Sequence, residues 1–197
     1  MFPVLWHVTP AVNVERIRRT KVLESAAALM SAAGDQRWLR QKRPWNVPLD
    51  VAGESVLLRN QRPLHDGHIA WEDGWNRARL LEELNKRVFF WPGDDRLPTK
   101  RARRNVEHFL ASGDYVVLRL PFAAVRSTPG VRIEYCRCNT GAPRTVNRQK
   151  AVRGPSIFKT QESWEEPASK VREVAVVHQV PLAAFWDHVR FDSALSP

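Results

Sequence analysis

The chain has 197 residues and a mass of 22.6 kDa, so we expect residues 1–197 to form a single domain with its own hydrophobic core. Its 43% hydrophobic and 26% charged residues exclude extensive disorder. No apolar run approaches the roughly 20 residues of a membrane span, and the N-terminus lacks a signal-peptide pattern, so we expect a cytoplasmic protein without a membrane partner.

Hydrophobic patterning predicts about six strands and three to five helices. In chain order the first half contains a strand at Pro3–Val8, a helix capped by Thr9 or Asn13 and running to Lys21, a helix at Ser25–Ala33, a strand at Ser55–Arg59, a helix at Arg77–Lys86 and a strand at Arg87–Trp91. The second half contains a basic helix at Arg101–Leu110, strands at Tyr115–Leu120, Val131–Cys138 and Val171–Val177, and a short helix at Leu182–Asp187. The regular βαβ rhythm of a doubly wound sheet is missing, so the pattern predicts an α+β fold.

Arginine dominates the charge of the chain. Lys and Arg number 31 against 21 Asp and Glu, giving +10, and 24 of the basic residues are arginine. Arginine binds phosphate through paired hydrogen bonds and stacks on bases, which favours a nucleic acid or another polyanion as partner. A GC-rich genome produces the same bias, and a charge run is usually a solvated face.

Three polar side chains converge where the first strand meets the first helix. His7 and Thr9 alternate onto one face of the strand, and Asn13 follows immediately. Such groups can bind a carboxamide or ribose hydroxyls. The alternative is a helix N-cap beside a histidine with a purely structural hydrogen bond.

A second polar group ends the strand at Ser55–Arg59. Arg59, Gln61 and Arg62 lie there just before a proline turn. Either arginine could pair with a pyrophosphate in bidentate fashion. An ordinary charged turn is the alternative.

Glu173 is the acid whose setting most needs explanation. By period-two alternation it shares a strand face with Val171, Ala175 and Val177. An acid on an apolar face is costly unless it has partners or a chemical role. A buried ion pair or a solvent-facing strand edge would also account for it.

Other candidate groups give weaker signals. Cys136 and Cys138 are too few for a disulfide framework or a four-ligand zinc site, and we expect no metal. Trp38 and Trp45 lie among several cations, an arrangement that could stack bases or cover a core.

Taken in order, these fragments resemble the DarT-like branch of the ADP-ribosyltransferase superfamily. The matching pieces are His7-Val8-Thr9 followed by Asn13 and Ile17, Arg59–Leu64, Leu84–Trp91, and Arg172–Val176 followed by Val180-Pro181. The resemblance implies a split, strongly bent β-sheet core with surrounding helices. It also implies a cleft that holds NAD as co-substrate without a metal.

Carried over by residue, the resemblance places His7 and Thr9 at the nicotinamide end, with Asn13 nearby, and Gln61 is a further cofactor-binding residue. Arg59 or Arg62 would bind the phosphates or anchor the transition state as a catalytic residue, and Glu173 would be the catalytic acid. A substrate-recognition loop would fall within 158–170.

The implied activity is NAD-dependent mono-ADP-ribosyl transfer to a base of single-stranded DNA or RNA, in a toxin or phage-defence role with an antitoxin as partner. The nucleic acid would contact Trp38, Arg40, Arg43, Trp45, Arg101, Arg103, Arg104 and Arg148. The alternatives are an NAD glycohydrolase, a non-catalytic nucleic-acid-binding module and, more weakly, an NAD-using RNA 2′-phosphotransferase.

Overall fold

The computed structural model describes residues 2–72, 74–96 and 98–193, with Arg101 and Ser112 described by their backbone alone. The helices in these ranges are α1 (Val14–Thr20), α2 (Ala26–Ala32), α3 (Arg77–Asn85), α4 (Lys100–Ser112) and α5 (Phe122–Ser127). The strands are β1 (Val4–Pro10), β2 (Val22–Glu24), β3 (Val47–Val51), β4 (Glu54–Leu58), β5 (Ile69–Trp71), β6 (Arg87–Gly93), β7 (Tyr115–Pro121), β8 (Ile133–Cys136), β9 (Ala151–Arg153), β10 (Lys159–Thr160), β11 (Glu173–Val177), β12 (Gln179–Pro181) and β13 (Arg190–Asp192).

An antiparallel seven-stranded sheet organises the protein, in the order β10-β8-β11-β6-β1-β7-β13. Three two-stranded sheets, β12-β2, β3-β4 and β5-β9, surround it in the described part of the chain. A large antiparallel sheet accompanied by several helices confirms the predicted α+β class.

The large sheet divides between β1 and β6. These strands pair only from Val4 to Trp6, opposite Gly93 to Trp91. Beyond that point β1 continues along β7 to Pro10, whereas the first part of β6 pairs with β11. The strand β6 thus belongs to both halves, and the halves separate at His7.

Apolar side chains fill both faces of the sheet. One face packs on α1, α5 and a C-terminal 3₁₀ helix (Ala183–His188) through a cluster that includes Leu5, Phe90, Leu118, Val174 and Val176. On the other face, Val106 of α4 packs against Trp6, Val8 and Val117. Two smaller clusters join α2 to the β3-β4 hairpin and α3 to β5.

Several predicted details are wrong. Neither Thr9 nor Asn13 caps a helix through its side chain: Thr9 lies within β1, and Asn13 ends a 3₁₀ turn at Ala11–Asn13. Thirteen strands occur among the described residues rather than six, because most of the additional strands have two or three residues and show no alternation. The segment predicted as a helix at 182–187 is a 3₁₀ helix.

Candidate functional site

The imidazole of His7 lies at the point where β1 and β6 separate. Its Nδ1 is 2.8 Å from the carbonyl oxygen of Phe89, and the ring packs on Phe90 with centroids 5.4 Å apart. Burial, and then the positive charge of Arg59, lower the pKa of His7 to about 4. The ring is therefore neutral at pH 7, with Nδ1–H donating to Phe89 and Nε2 left as an acceptor.

The guanidinium of Arg59 reaches the same region from the end of β4. It lies over the ring of Phe109 in α4, 4.5 Å from the centroid. Its Nη1 is buried and has no hydrogen-bond partner among the described residues. Burial lowers the pKa of Arg59, although the charges of Tyr115 and Glu173 raise it. A buried guanidinium nitrogen without a partner is suited to binding an anionic ligand.

The carboxyl group of Glu173 is the third member of this site. It begins β11, is only 5% exposed, and accepts two hydrogen bonds at Oε2, from the backbone N–H and the hydroxyl of Thr140, both at 2.8 Å. Burial raises its pKa, although the Thr140 bonds and the charges of Arg153 and Arg59 act in the opposite direction. The charge of Arg59 therefore acts on both His7 and Glu173.

Thr140 and Arg153 are site residues that the sequence did not reveal. Arg153, at the end of β9, is 2% exposed and donates to the carbonyl oxygens of Asn139 at 2.8 Å and Thr140 at 3.2 Å. These two hydrogen bonds fix the loop in which the N–H and hydroxyl of Thr140 bind the Glu173 carboxylate. In the sequence, Arg153 is one of several cations in a basic stretch, and no local pattern marks Thr140.

The side chains of Thr9 and Asn13 are already engaged with the protein. Asn13 Nδ2 donates to Thr9 Oγ1 at 3.2 Å and to the carbonyl oxygen of Leu57 at 3.0 Å, and its Oδ1 accepts from the Leu57 N–H at 2.8 Å. Leu57 lies two residues before Arg59. Asn13 therefore holds the backbone of β4 just before Arg59.

Of the two competing arginines, only Arg59 faces His7 and Glu173. Arg62 is exposed, and its Nε donates to the carbonyl oxygen of Pro44 at 2.9 Å. Gln61 is also committed, because it accepts from the Arg43 N–H at 3.1 Å and donates its own N–H to Arg43 at 2.7 Å. Of these side chains, Arg59 alone has a buried nitrogen without a hydrogen-bond partner among the described residues.

Arg43 corrects one expectation about the nucleic-acid surface. Its side chain is 5% exposed and donates to the carbonyl oxygen of Arg59 and to Asn85 Oδ1, both at 2.9 Å. Burial, and then the charge of Arg59, lower its pKa to about 10. Arg43 therefore supports the loop beneath Arg59 and cannot present its guanidinium to a nucleic acid.

The remaining residues of the expected nucleic-acid track lie on three segments. Trp45 is 58% exposed with its ring edge-on to Trp38, while Trp38 packs on the α2 cluster. Arg40, Arg103, Arg104 and Arg148 are exposed, but Arg40 pairs with Glu82 and Arg103 pairs with Glu107, both at 2.7 Å. The side chain of Arg101 lies outside the described residues.

Other candidate features lie elsewhere or add no ligands. Two surface depressions, one beside α3 and one beside the start of α4, are lined by other residues than His7, Arg59 and Glu173. Cys136 and Cys138 are both free thiols whose pKa values burial raises. The described residues contain no cluster of three or more His, Cys, Asp or Glu side chains suited to a metal.

Within residues 2–72, 74–96 and 98–193, every helix is too short or too polar to cross a bilayer.

Comparison with known proteins places the chain in one family. A search of curated proteins gave no significant match. A family model described as a family of unknown function, DUF7002, matches residues 3–185, a span that includes His7, Arg59 and Glu173. The chain therefore belongs to the DUF7002 family.

Proposed function

We propose that this protein is an NAD-dependent mono-ADP-ribosyltransferase whose acceptor is a nucleic acid, either a single-stranded DNA base or an RNA base. The observation that carries the proposal is a guanidinium with an unpartnered buried nitrogen, Arg59, whose charge acts on both a buried carboxyl, Glu173, and a neutral imidazole, His7. These residues come from distant parts of the chain. A buried acid with a perturbed pKa beside a specific charge partner is typical of active sites.

The substrate would be held by two of these groups. The unpartnered Nη1 of Arg59 donates to a pyrophosphate oxygen, which satisfies the buried nitrogen. The free Nε2 of His7 accepts from a ribose hydroxyl or from the carboxamide N–H of nicotinamide. Together they orient the bond between ribose and nicotinamide toward Glu173.

Glu173 would carry the chemistry. When the nicotinamide–ribose bond breaks, nicotinamide leaves with the bonding electrons and the ribose develops oxocarbenium character, as in glycoside cleavage. The carboxylate of Glu173 stabilises the positive charge on the ribose through the ribose 2-hydroxyl. A nucleophilic base nitrogen or oxygen of the acceptor then bonds to the anomeric carbon, and its proton passes to the carboxylate. The raised pKa of Glu173 supports this final step.

The sheet and the charge support the same proposal. An antiparallel sheet that divides at His7 is compatible with the split, bent core implied by the resemblance to DarT-like enzymes. A net charge of +10 favours a polyanionic acceptor. A toxin or phage-defence role with an antitoxin partner follows from that resemblance and is part of the proposal.

The test is incubation of the purified chain with labelled NAD and separate pools of single-stranded DNA, RNA, nucleotides and protein. We expect label on a nucleic acid, and at least about a hundredfold loss of transfer in Glu173→Gln. Glutamine is preferred to alanine because it leaves an oxygen for the buried Thr140 N–H and hydroxyl.

Other outcomes would replace the proposal. Free ADP-ribose without labelled polymer would identify an NAD glycohydrolase. If NAD neither bound nor protected the protein against heat, the chain would be a non-catalytic binding module, and label confined to the protein pool would contradict the acceptor assignment.

A further inference from the structure

A short basic hairpin projects near the candidate site. In residues 144–150, here called the basic hairpin, the N–H of Val146 donates to the carbonyl oxygen of Gln149 at 3.0 Å and the reverse bond is 2.9 Å. The two central residues, Asn147 and Arg148, both have positive φ, 50° and 62°. Non-glycine residues seldom adopt this region, and two in succession make a tight two-residue turn of the type I′ kind.

The basic hairpin is strongly positive and has no acid of its own. No Asp or Glu occurs between Glu134 and Glu162, whereas six cations do. The side chains of Arg144, Arg148 and Lys150 are exposed and have no ion-pair or hydrogen-bond partner among the described residues. Two acids on segments joined to this region have partners of their own: Glu72 accepts from Ser156, and Asp66 pairs with Arg77.

Apolar surface accompanies this charge. Val146 is 63% exposed next to the turn, and Val152 is 50% exposed in β9. Exposed apolar side chains among unpaired cations match a ligand that combines phosphates with flat apolar bases. A purely acidic protein surface would leave Val146 and Val152 without an apolar partner.

The basic hairpin is anchored to the loop that holds Glu173. Arg144 follows Thr140 by four residues, so their Cα atoms are at most about 14 Å apart. The C-terminal end of the basic hairpin leads to Arg153, which binds the carbonyl oxygens of Asn139 and Thr140. A further contact of 2.9 Å joins Thr145 Oγ1 to His68 Nδ1. The basic hairpin is therefore attached at both ends to segments next to the loop that binds Glu173.

We propose that the basic hairpin is a contact surface for single-stranded nucleic acid, in which Arg144, Arg148 and Lys150 bind phosphates and Val146 packs on a base beside the Glu173 site. This inference rests on the proposed function for its acceptor, but its binding test does not require catalysis.

The test compares two variants of equal charge. One is R144Q/R148Q/K150Q. The control is R18Q/K21Q/R190Q, which removes three exposed cations near residues 186–191. Affinity for a fluorescent 20-nucleotide mixed-sequence DNA is measured by anisotropy at several salt concentrations. We expect the hairpin variant to bind at least about tenfold more weakly, with the salt slope reduced by about 2, since each single-strand phosphate contact contributes roughly 0.7. The control should stay within about twofold of the wild type.

Three results would overturn the proposal. One is equal weakening by both variants, which would indicate diffuse electrostatics. The second is an unchanged affinity in the hairpin variant. The third is an oligoglutamate of matched charge that binds the wild type as tightly as the oligonucleotide, which would identify an acidic protein partner. NAD binding, measured separately, should be unaffected by either variant, so a failure of the proposed catalysis remains distinguishable from a failure of the hairpin surface.

Discussion

The burial of Glu173 could be anticipated from the sequence, but its environment could not. Alternation placed it on a strand face with Ala175, and the structure confirms that both are buried. The expectation that Val171 shares this face is wrong, because Val171 precedes β11 and packs with Val174 and Val176 in the main core. The partner Thr140 lies 33 residues away, and a contact of that separation leaves no local pattern.

The titration of Glu173 gives a stability prediction. Burial raises its pKa in the folded protein, so the folded state holds the proton more tightly than the unfolded chain does. The resulting stabilisation is present at low pH and is lost as the pH rises through the folded pKa. Glu173→Gln cannot ionise, so we expect its Tm to match that of the wild type at pH 4 and to exceed it at pH 8.

Thermal unfolding from pH 4 to pH 8 measures this difference. The control is Glu162→Gln, since Glu162 is exposed and its pKa is lowered, by its own backbone N–H and by Thr160. That variant should show a small effect of opposite sign. A Glu173→Gln protein that is less stable than the wild type at pH 8 but not at pH 4 would contradict the assigned direction.

At the scale of elements, sequence patterns located the longer strands and helices and missed the short ones. The strands β1, β6, β7 and β11 and the helix α3 have a clear period, and each lies within about two residues of its prediction. The sequence predicts only the second strand of the β3-β4 hairpin, because the Ala52-Gly53 turn, with φ of 55° at Ala52, is not one of the common hairpin turn sequences. Strands of two or three residues are stabilised by pairing with residues far away in the sequence. A short stretch of sequence therefore does not predict them.

The β3-β4 hairpin carries Arg59, and Asn13 fixes its position. Asn13→Ala removes two hydrogen bonds to the Leu57 backbone. We expect a loss of about 2 kcal/mol in the free energy of unfolding and, because Arg59 shifts, about a tenfold weaker affinity for NAD. Urea unfolding and NAD titration measure the two effects.

The matched control lies at the other end of the same hairpin. Asp50→Ala removes only the exposed bond from the Gly53 N–H, so it should leave the NAD affinity unchanged. Equal losses of NAD affinity in both variants would show that Asn13 acts through general hairpin stability rather than through the position of Arg59.

For the whole molecule, composition predicted a positive surface but not its distribution. Of the expected nucleic-acid residues, Arg43 is buried, and Arg40 and Arg103 are paired with acids. Whether an arginine is free or paired depends on neighbours from other segments, which a count of charges does not contain. The assembly of His7, Arg59 and Glu173 is likewise a property of the sheet topology, and only the resemblance to a known family linked them in advance.

The helix α4 offers a test at this scale. We expect joint neutralisation of Arg101, Arg103 and Arg104 to weaken nucleic-acid binding and to flatten its salt dependence. Because Arg103 is paired with Glu107, the change in slope should be smaller than for the basic hairpin variant. Anisotropy titrations at several salt concentrations, with R18Q/K21Q/R190Q as the control, provide the measurement. Unchanged binding would remove α4 from the nucleic-acid track.

The turn of the basic hairpin also divides the chain into two unequal parts. The longer part contains β6 and β8, and the shorter part contains β11, which lies between them and is hydrogen-bonded along both of its edges. A chain interrupted at the exposed turn would therefore yield two polypeptides, one with His7 and Arg59 and the other with Glu173. Neither could form the site alone, so activity recovered by mixing them would report directly on insertion of β11 between β8 and β6.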